Sequence, residues 1–178
     1  MRRMRVRRLV VVGGVAVLLL AAIVCGWFAL QFRAMLKATR PVADVGEYGR
    51  VLGEWKEFAG EIVGHFPEAV PADAEDVSFY FWPGFLQSDA RIELRFRTGH
   101  ESIDRYYETF SKRATKFTSG AMLIHFVRGR GQADVTELGP DYVVMQFDAD
   151  PNNIPEHGKE HGVIMSREKN EIIFWAEW

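Results

Sequence analysis

The sequence opens MRRMRVRR and then runs from Leu9 to Leu30 without one charged residue. At about 1.5 Å per residue those 22 positions reach roughly 33 Å as a helix, enough to cross a hydrocarbon layer about 30 Å thick. A segment apolar on every side needs either lipid or a large core around it, and only ~138 residues follow to build such a core. The expectation is a transmembrane anchor over residues 9–30, preceded by a basic cytoplasmic tail over residues 1–8.

Orientation follows from charge. Arginines at positions 2, 3, 5, 7 and 8 precede the run, against Arg33, Lys37 and Arg40 after it. The positive-inside rule then keeps the short tail in the cytoplasm and places the bulk of the chain outside the plasma (inner) membrane. A cleaved secretory signal also starts with a basic stretch and an apolar run. Here the run is longer than a usual signal core, and Cys25-Gly26-Trp27-Phe28-Ala29-Leu30 at its end is bulky, so an uncleaved anchor is expected. Cys25 has two readings: a small apolar residue inside the helix, or a lipidated cysteine. For the second, β-branched Val24 stands where bacterial lipoproteins carry a small residue.

From Gln31 onward there is no cysteine, so the exported part owes nothing to disulfides or thiol chemistry. Residues 1–40 carry eight Lys/Arg and no acid, while residues 41–178 carry 14 Lys/Arg against 24 Asp/Glu. A domain with that balance is not expected to bind nucleic acid by counterion release, and it should be repelled from anionic lipid surfaces.

After a linker over residues 31–46, residues 47–178 suffice for one domain. Tyr48, Val51, Leu52, Trp55, Phe58, Ala59, Ile62 and Phe66 recur at helical spacing and predict an amphipathic helix ending near Pro67. Val77, Phe79 and Phe81 alternate with Ser78, Tyr80 and Trp82, and Ile92, Leu94 and Phe96 alternate with Arg91, Glu93, Arg95 and Arg97. Period two predicts an antiparallel strand pair with one buried face and one facing water. Thr98-Gly99-His100-Glu101 has the capping-box form, and Ile103, Tyr106, Tyr107, Phe110, Ala114 and Phe117 predict a second helix running to near Gly120. Further strands are expected at 122–127, 142–147, 163–166 and 172–178, the last two joined as a hairpin by Arg167-Glu168-Lys169-Asn170. The fold class is α+β: an N-terminal transmembrane helix, then one domain with a mostly antiparallel sheet and two amphipathic helices on one face.

Phe66-Pro67, Val70-Pro71 and Ala74, followed by Phe79-Tyr80-Phe81 and Pro83-Gly84-Phe85-Leu86-Gln87, resemble a motif of uncharacterised bacterial membrane-anchored domains. The resemblance covers about a fifth of residues 47–178, implies a location, and brings no catalytic residues with it. Within FYFWPGFL the alternation assigns Phe79 and Phe81 to the core. Trp82, Phe85 and Leu86 sit at a Pro-Gly turn, where rings are harder to bury, and are the candidate binding residues.

One polar constellation remains. Asp148 and Asp150 place oxygen ligands at alternate positions, and His157 and His161 lie four apart. Pro151 interrupts the first pattern, the glycine and distal glutamate of a calcium loop are missing, and Pro155 and Gly158 argue against a helix under the histidines. His65, His100 and His125 are scattered singly and read as ordinary surface or strand residues. No G-x-S-x-G, phosphate loop or cysteine–histidine pair occurs outside the apolar run. The leading expectation is a single-pass, non-enzymatic extracytoplasmic interaction or sensor domain without cofactor, held in the bilayer through residues 9–30 and meeting an envelope protein. The alternative is a metal-binding or metal-assisted hydrolytic domain using residues 148–161.

Overall fold

A computed structural model describes residues 19–33, 35–36, 39–84, 90–119, 122–128, 132–147 and 160–178, with the backbone alone for 122–128 and 132–137. The chain divides into two compact units, Met1–Arg40 and Pro41–Trp178. In the first, residues 19–33 form a helix, α1, on which every residue is exposed. Among the described residues no helix is long and apolar enough to cross a membrane. The first half of the 9–30 run lies outside them.

The second unit is α+β. Asp44 accepts a hydrogen bond from the Gly46 N–H at 2.9 Å and starts a 3-10 turn at Val45–Glu47, which leads into α2 (Tyr48–Val63). Helix α2 buries Tyr48, Val51, Leu52, Ile62 and Val63. It is kinked at Ala59 (φ −135°, ψ 36°), and the kink corrects the expected apolar stripe. Phe58, one residue before it, is 83% exposed, while Ile62, His65 and Phe66 beyond it turn into the core.

Strands β1 (Glu75–Trp82) and β2 (Arg91–Arg97) pair antiparallel. A register shift between Glu75 and Ser78 leaves Asp76 in the left-handed region (φ 51°), with its carboxylate paired to Arg97. Gly84, in the Pro-Gly turn after β1, has φ 74°, which glycine adopts without a Cβ penalty.

Helix α3 (His100–Ser111) starts from Gly99 without a side-chain cap. The expected capping box does not form. Thr98 Oγ1 donates instead to Asp73 at 2.6 Å, and Ser102 Oγ donates to the same carboxylate at 2.9 Å. Nor does α3 reach Gly120. It ends at Ser111, and Lys116–Ser119 become β3, paired with β6. Phe117-Thr118 fits a pleated surface better than a helix, although Ala114 and Phe117 keep the helical period.

Strands β4 (Met122–Arg128) and β5 (Gln132–Leu138) pair with each other; β5 lies in a stretch for which no strand was expected. Strands β6 (Tyr142–Phe147), β7 (Glu160–Ser166) and β8 (Glu171–Glu177) follow. The β7–β8 turn is Arg167–Asn170, with Asn170 left-handed at φ 52°. The main sheet has six antiparallel strands in the order β1-β2-β8-β7-β6-β3, so β8, last in chain order, lies near the middle. Val42 adds a single bridge to the β1 edge through its N–H and carbonyl to Phe81 (2.9 and 2.8 Å).

Both helices pack on one face of this sheet. Alternate residues of five strands, among them Phe79, Phe81, Leu94, Phe96, Phe174, Val163, Met145 and Phe147, join Tyr48, Val63, Phe66, Ile103 and Phe110 in the main core. Trp55 of α2 stands edge-on to Phe81 and Trp178, with ring centroids 5.5 and 4.2 Å apart.

Candidate binding surface

Pairing register fixes what the opposite face of the sheet displays, because side chains alternate with period two. One row across it reads Trp82, Arg91, Glu177, Glu160; the next reads Tyr80, Glu93, Trp175, Gly162, Gln146, Lys116. Then come Ser78, Arg95, Ile173, Ile164, Val144, Thr118, and finally Arg97, Glu171, Ser166, Tyr142. The face is therefore aromatic and charged at one end, apolar across the middle and charged again at the other.

The sequence pattern assigns this face to water, and the structure corrects that in part. Ile164, Ile173, Tyr142 and Leu138 form a second small core, with Trp175 packed against it. Arg91 is only 8% exposed and reaches Glu93 at 3.5 Å and Glu177 at 3.8 Å. The Trp175 indole nitrogen is buried without a hydrogen-bond partner among the described residues, a donor left short of the bond that water would give it. Gly162, beside Trp175 in the same row, is required by backbone proximity, since a Cβ there would overlap the Met145 carbonyl oxygen.

At the far end lies a groove of about 860 Å³ whose lining includes Arg95, Arg97, Tyr142, Lys169 and Glu171. Its organising group is Glu171, a buried carboxylate. Such a charge is tolerated only when paired and hydrogen-bonded. Arg95 Nε donates to it at 2.8 Å and the Tyr142 hydroxyl donates to it as well. Burial pulls the Arg95 guanidinium down, but its bond and charge interaction with Glu171 outweigh that and raise it. Tyr142 is pushed up by burial first and by Glu171 second. Beside the groove, Ser166 Oγ donates to Asp141 at 2.6 Å, and Lys169 Nζ lies 3.2 Å from that carboxylate and 4.5 Å from the centre of the Tyr142 ring. The Ser166 bond first, then Lys169, hold Asp141 below the usual carboxylate range. These bonds fix the β7–β8 turn against β6, and the groove they leave is polar and charge-balanced.

Of the residues expected to bind, Trp82 is half-buried at the end of β1, opposite Arg91. Phe85 and Leu86 lie outside the described residues, as do Asp148, Asp150 and His157 of the alternative metal set. His161 is described, and its ring is buried on the helix side of the sheet, 5.4 Å from the ring of His65 and 5.8 Å from Phe147. His65, expected as an ordinary surface or strand residue, lies in neither place: it follows α2 and is buried. Its Nε2–H donates to the Gly162 carbonyl at 2.9 Å. Burial first, then the neighbouring His161, lower His65 to about 3, against the pull of that carbonyl. Among the described residues no group of three His, Cys, Asp or Glu side chains is placed to hold a metal ion.

Sequence reasoning passed over Glu171, Tyr142 and Arg95 because they meet only through sheet pairing. The Arg97↔Glu171 position in the β2–β8 ladder is invisible until β8 is known to lie beside β2. No known protein family matches the sequence, and no curated protein or solved structure matches it.

Proposed function

We propose that this chain is a single-pass, membrane-tethered binding or sensor domain, with its N-terminal tail in the cytoplasm and residues 41–178 outside the plasma membrane. The observation that carries the reading is α1. All 15 of its residues from 19 to 33 are exposed, and only Gln31 and Arg33 among them are polar. An apolar helix exposed on every side requires a cover, and lipid is the cover that suits the length of the uncharged run from Leu9 to Leu30. The arginines before that run supply the orientation.

In this reading recognition of an envelope partner belongs to Trp82, at the end of β1, and to Phe85 and Leu86, which follow it in the sequence. A half-buried ring beside a charged row is the composition of an interface anchor. Its neighbours there, Arg91, Glu93 and Glu177, form ion pairs, an arrangement suited to recognition rather than to making or breaking bonds.

A reporter active only outside the cytoplasm, fused after Trp178, should be active, and protein extracted from cells should keep Met1. A mature N-terminus at or beyond Cys25, or a reporter active only inside, would remove the tether. Trp82→Ala, at a half-buried strand end, should cost less than removing a core ring and leave the domain folded, while losing crosslinks to envelope partners.

A further inference from the structure

A buried carboxylate held by a guanidinium is no cheaper for the fold than two apolar side chains in the same places. The Arg95–Glu171 pair does, however, leave an oriented guanidinium facing the groove. Glu171 lies directly opposite Arg97 in the β2–β8 ladder. Yet Arg97 is drawn the other way, to Asp76, the residue that the β1 register shift leaves in the left-handed region. Glu171 therefore falls to Arg95, which spends only its Nε–H on one carboxylate oxygen, at 2.8 Å. The other oxygen accepts from the Tyr142 hydroxyl, so both oxygens of Glu171 are engaged.

Arg95 carries its remaining N–H donors on two terminal nitrogens, and neither nitrogen bonds to a described residue. Its side chain is 33% exposed and lines the groove. Ser78, its cross-strand partner on the same face, lines the groove as well; it is exposed, and its hydroxyl makes no hydrogen bond to a described residue. Arg97 and Lys169 add two half-exposed cations to the lining. Of the acids there, Glu171 is engaged, Asp76 is paired with Arg97, and Glu168 is exposed on the β7–β8 turn.

A planar fork of N–H donors with a hydroxyl beside it matches an oxyanion. We propose that the groove is a binding site for a small organic acid, whose carboxylate or phosphate group docks on the terminal nitrogens of Arg95 with the Ser78 hydroxyl as a second donor. The volume of about 860 Å³ suits a small molecule. Because the bond to Glu171 sets the guanidinium before the ligand arrives, little side-chain freedom is lost on binding. The solvent-exposed Arg97–Asp76 pair is weak enough for Arg97 to exchange its partner for the ligand. The site lies at the opposite end of the sheet face from Trp82 and does not depend on the tether.

The test titrates the full chain in maltoside micelles with sodium succinate, sodium phosphate or, at matched ionic strength, sodium chloride. Binding is read by NMR at the Arg95 Nε–H and at the backbone amides of Ser78 and Glu171. Succinate or phosphate should give saturable shifts, with dissociation constants on the order of millimolar for probes this small, and chloride should give none. Saturation by succinate alone assigns the ligand to carboxylic acids, by phosphate alone to phosphorylated molecules, and by both to oxyanions of either kind; each supports the site. Arg95→Lys keeps the charge but loses the fork and should weaken binding about tenfold, and Ser78→Ala, at an exposed position, about threefold. Lys112→Gln, outside the groove, should leave it unchanged. Failure of both oxyanions to saturate, or shifts that chloride reproduces, overturns the proposal. So does binding that Arg95→Lys and Ser78→Ala leave unaltered, which places the anion elsewhere. If Arg95→Lys does not fold, Ser78→Ala alone decides.

Discussion

The two faces of the main sheet are built from adjacent residues of the same strands, yet they obey different rules. On the helix side, Phe174 touches the rings of His65, Phe66, Phe96, Tyr106 and Phe110 at centroid distances of 5.7 to 6.1 Å. Hydrocarbon there meets hydrocarbon on both sides, and shape decides what fits. On the other side, neighbouring Ile173 packs in a small cluster while Glu171, two residues away, is held by Arg95 and Tyr142. The first face stabilises the fold. The second is a compromise in which burial is limited and polar groups need partners, which is where a surface retains freedom to recognise something else.

The sharpest way to break this comparison is to remove a ring from the helix side. Phe174→Ala should cost about 3 to 5 kcal/mol, from lost transfer energy and the cavity left among five rings. Trp175→Ala, one residue on and facing the other way, should cost clearly less, because its side is only partly covered. Denaturant midpoints of both variants decide the matter; equal losses would make the two faces equivalent.

A second measurement uses protons. His65 is lowered to about 3 by burial, whereas it titrates near 6.5 once unfolded. Above about pH 6.5 it is neutral in both states and adds no pH dependence. As pH falls below that, the unfolded chain takes up a proton that the native core refuses. Stability should then drop by roughly 1.4 kcal/mol per pH unit, or about 2 kcal/mol by pH 5. Asp73, held down chiefly by its Thr98 and Ser102 bonds, and Asp141 act in a lower window. Their stabilisation is present above the ordinary carboxylate range and is lost as pH falls through it. His65→Gln should flatten the stability profile between about pH 6.5 and 5; an unchanged slope would rule out the buried imidazole as its source.

The smallest effect tests the opposite face itself. Tyr142→Phe keeps the ring in its cluster and removes one donor from Glu171, for about 1 to 2 kcal/mol. A loss as large as that of Phe174→Ala would mean that the polar side tolerates change no better than the core.

The elements that could be read from sequence were those whose signal is local. Strand β2 announces itself by strict alternation, and the β7–β8 hairpin by its four polar turn residues. Helix α2 was legible through most of its stripe, with Ile62 and Phe66 buried as expected; Phe58, beside the kink at Ala59, is the residue that leaves it. Helix α3 was read too long because Ala114 and Phe117 keep helical period by chance, while the strand preference of Phe117-Thr118 and the free edge of β6 decide the outcome. The burial of His65 was illegible for another reason. Its partner is the Gly162 carbonyl, 97 positions away, and a lone histidine carries no mark of a contact so distant. The groove shares that difficulty: Arg95, Tyr142 and Glu171 come from three strands whose adjacency is a property of sheet order.

Strand β8 also fixes a sequence of events. It is the last strand in chain order, yet it joins β2 to β7, pairing Glu171–Glu177 with Arg91–Arg97 on one side and with Glu160–Ser166 on the other. As the chain emerges from the ribosome, β1 with β2 and β6 with β7 can form local ladders early. The two halves cannot meet until the closing strand arrives, and closing a loop of that span is slow relative to forming a hairpin. Until then the nascent domain has two open inner edges, β2 with Ile92, Leu94 and Phe96 and β7 with Val163, Ile164 and Met165. Those edges are available to chaperones or to another copy, and a chain interrupted before Glu171 would keep them permanently.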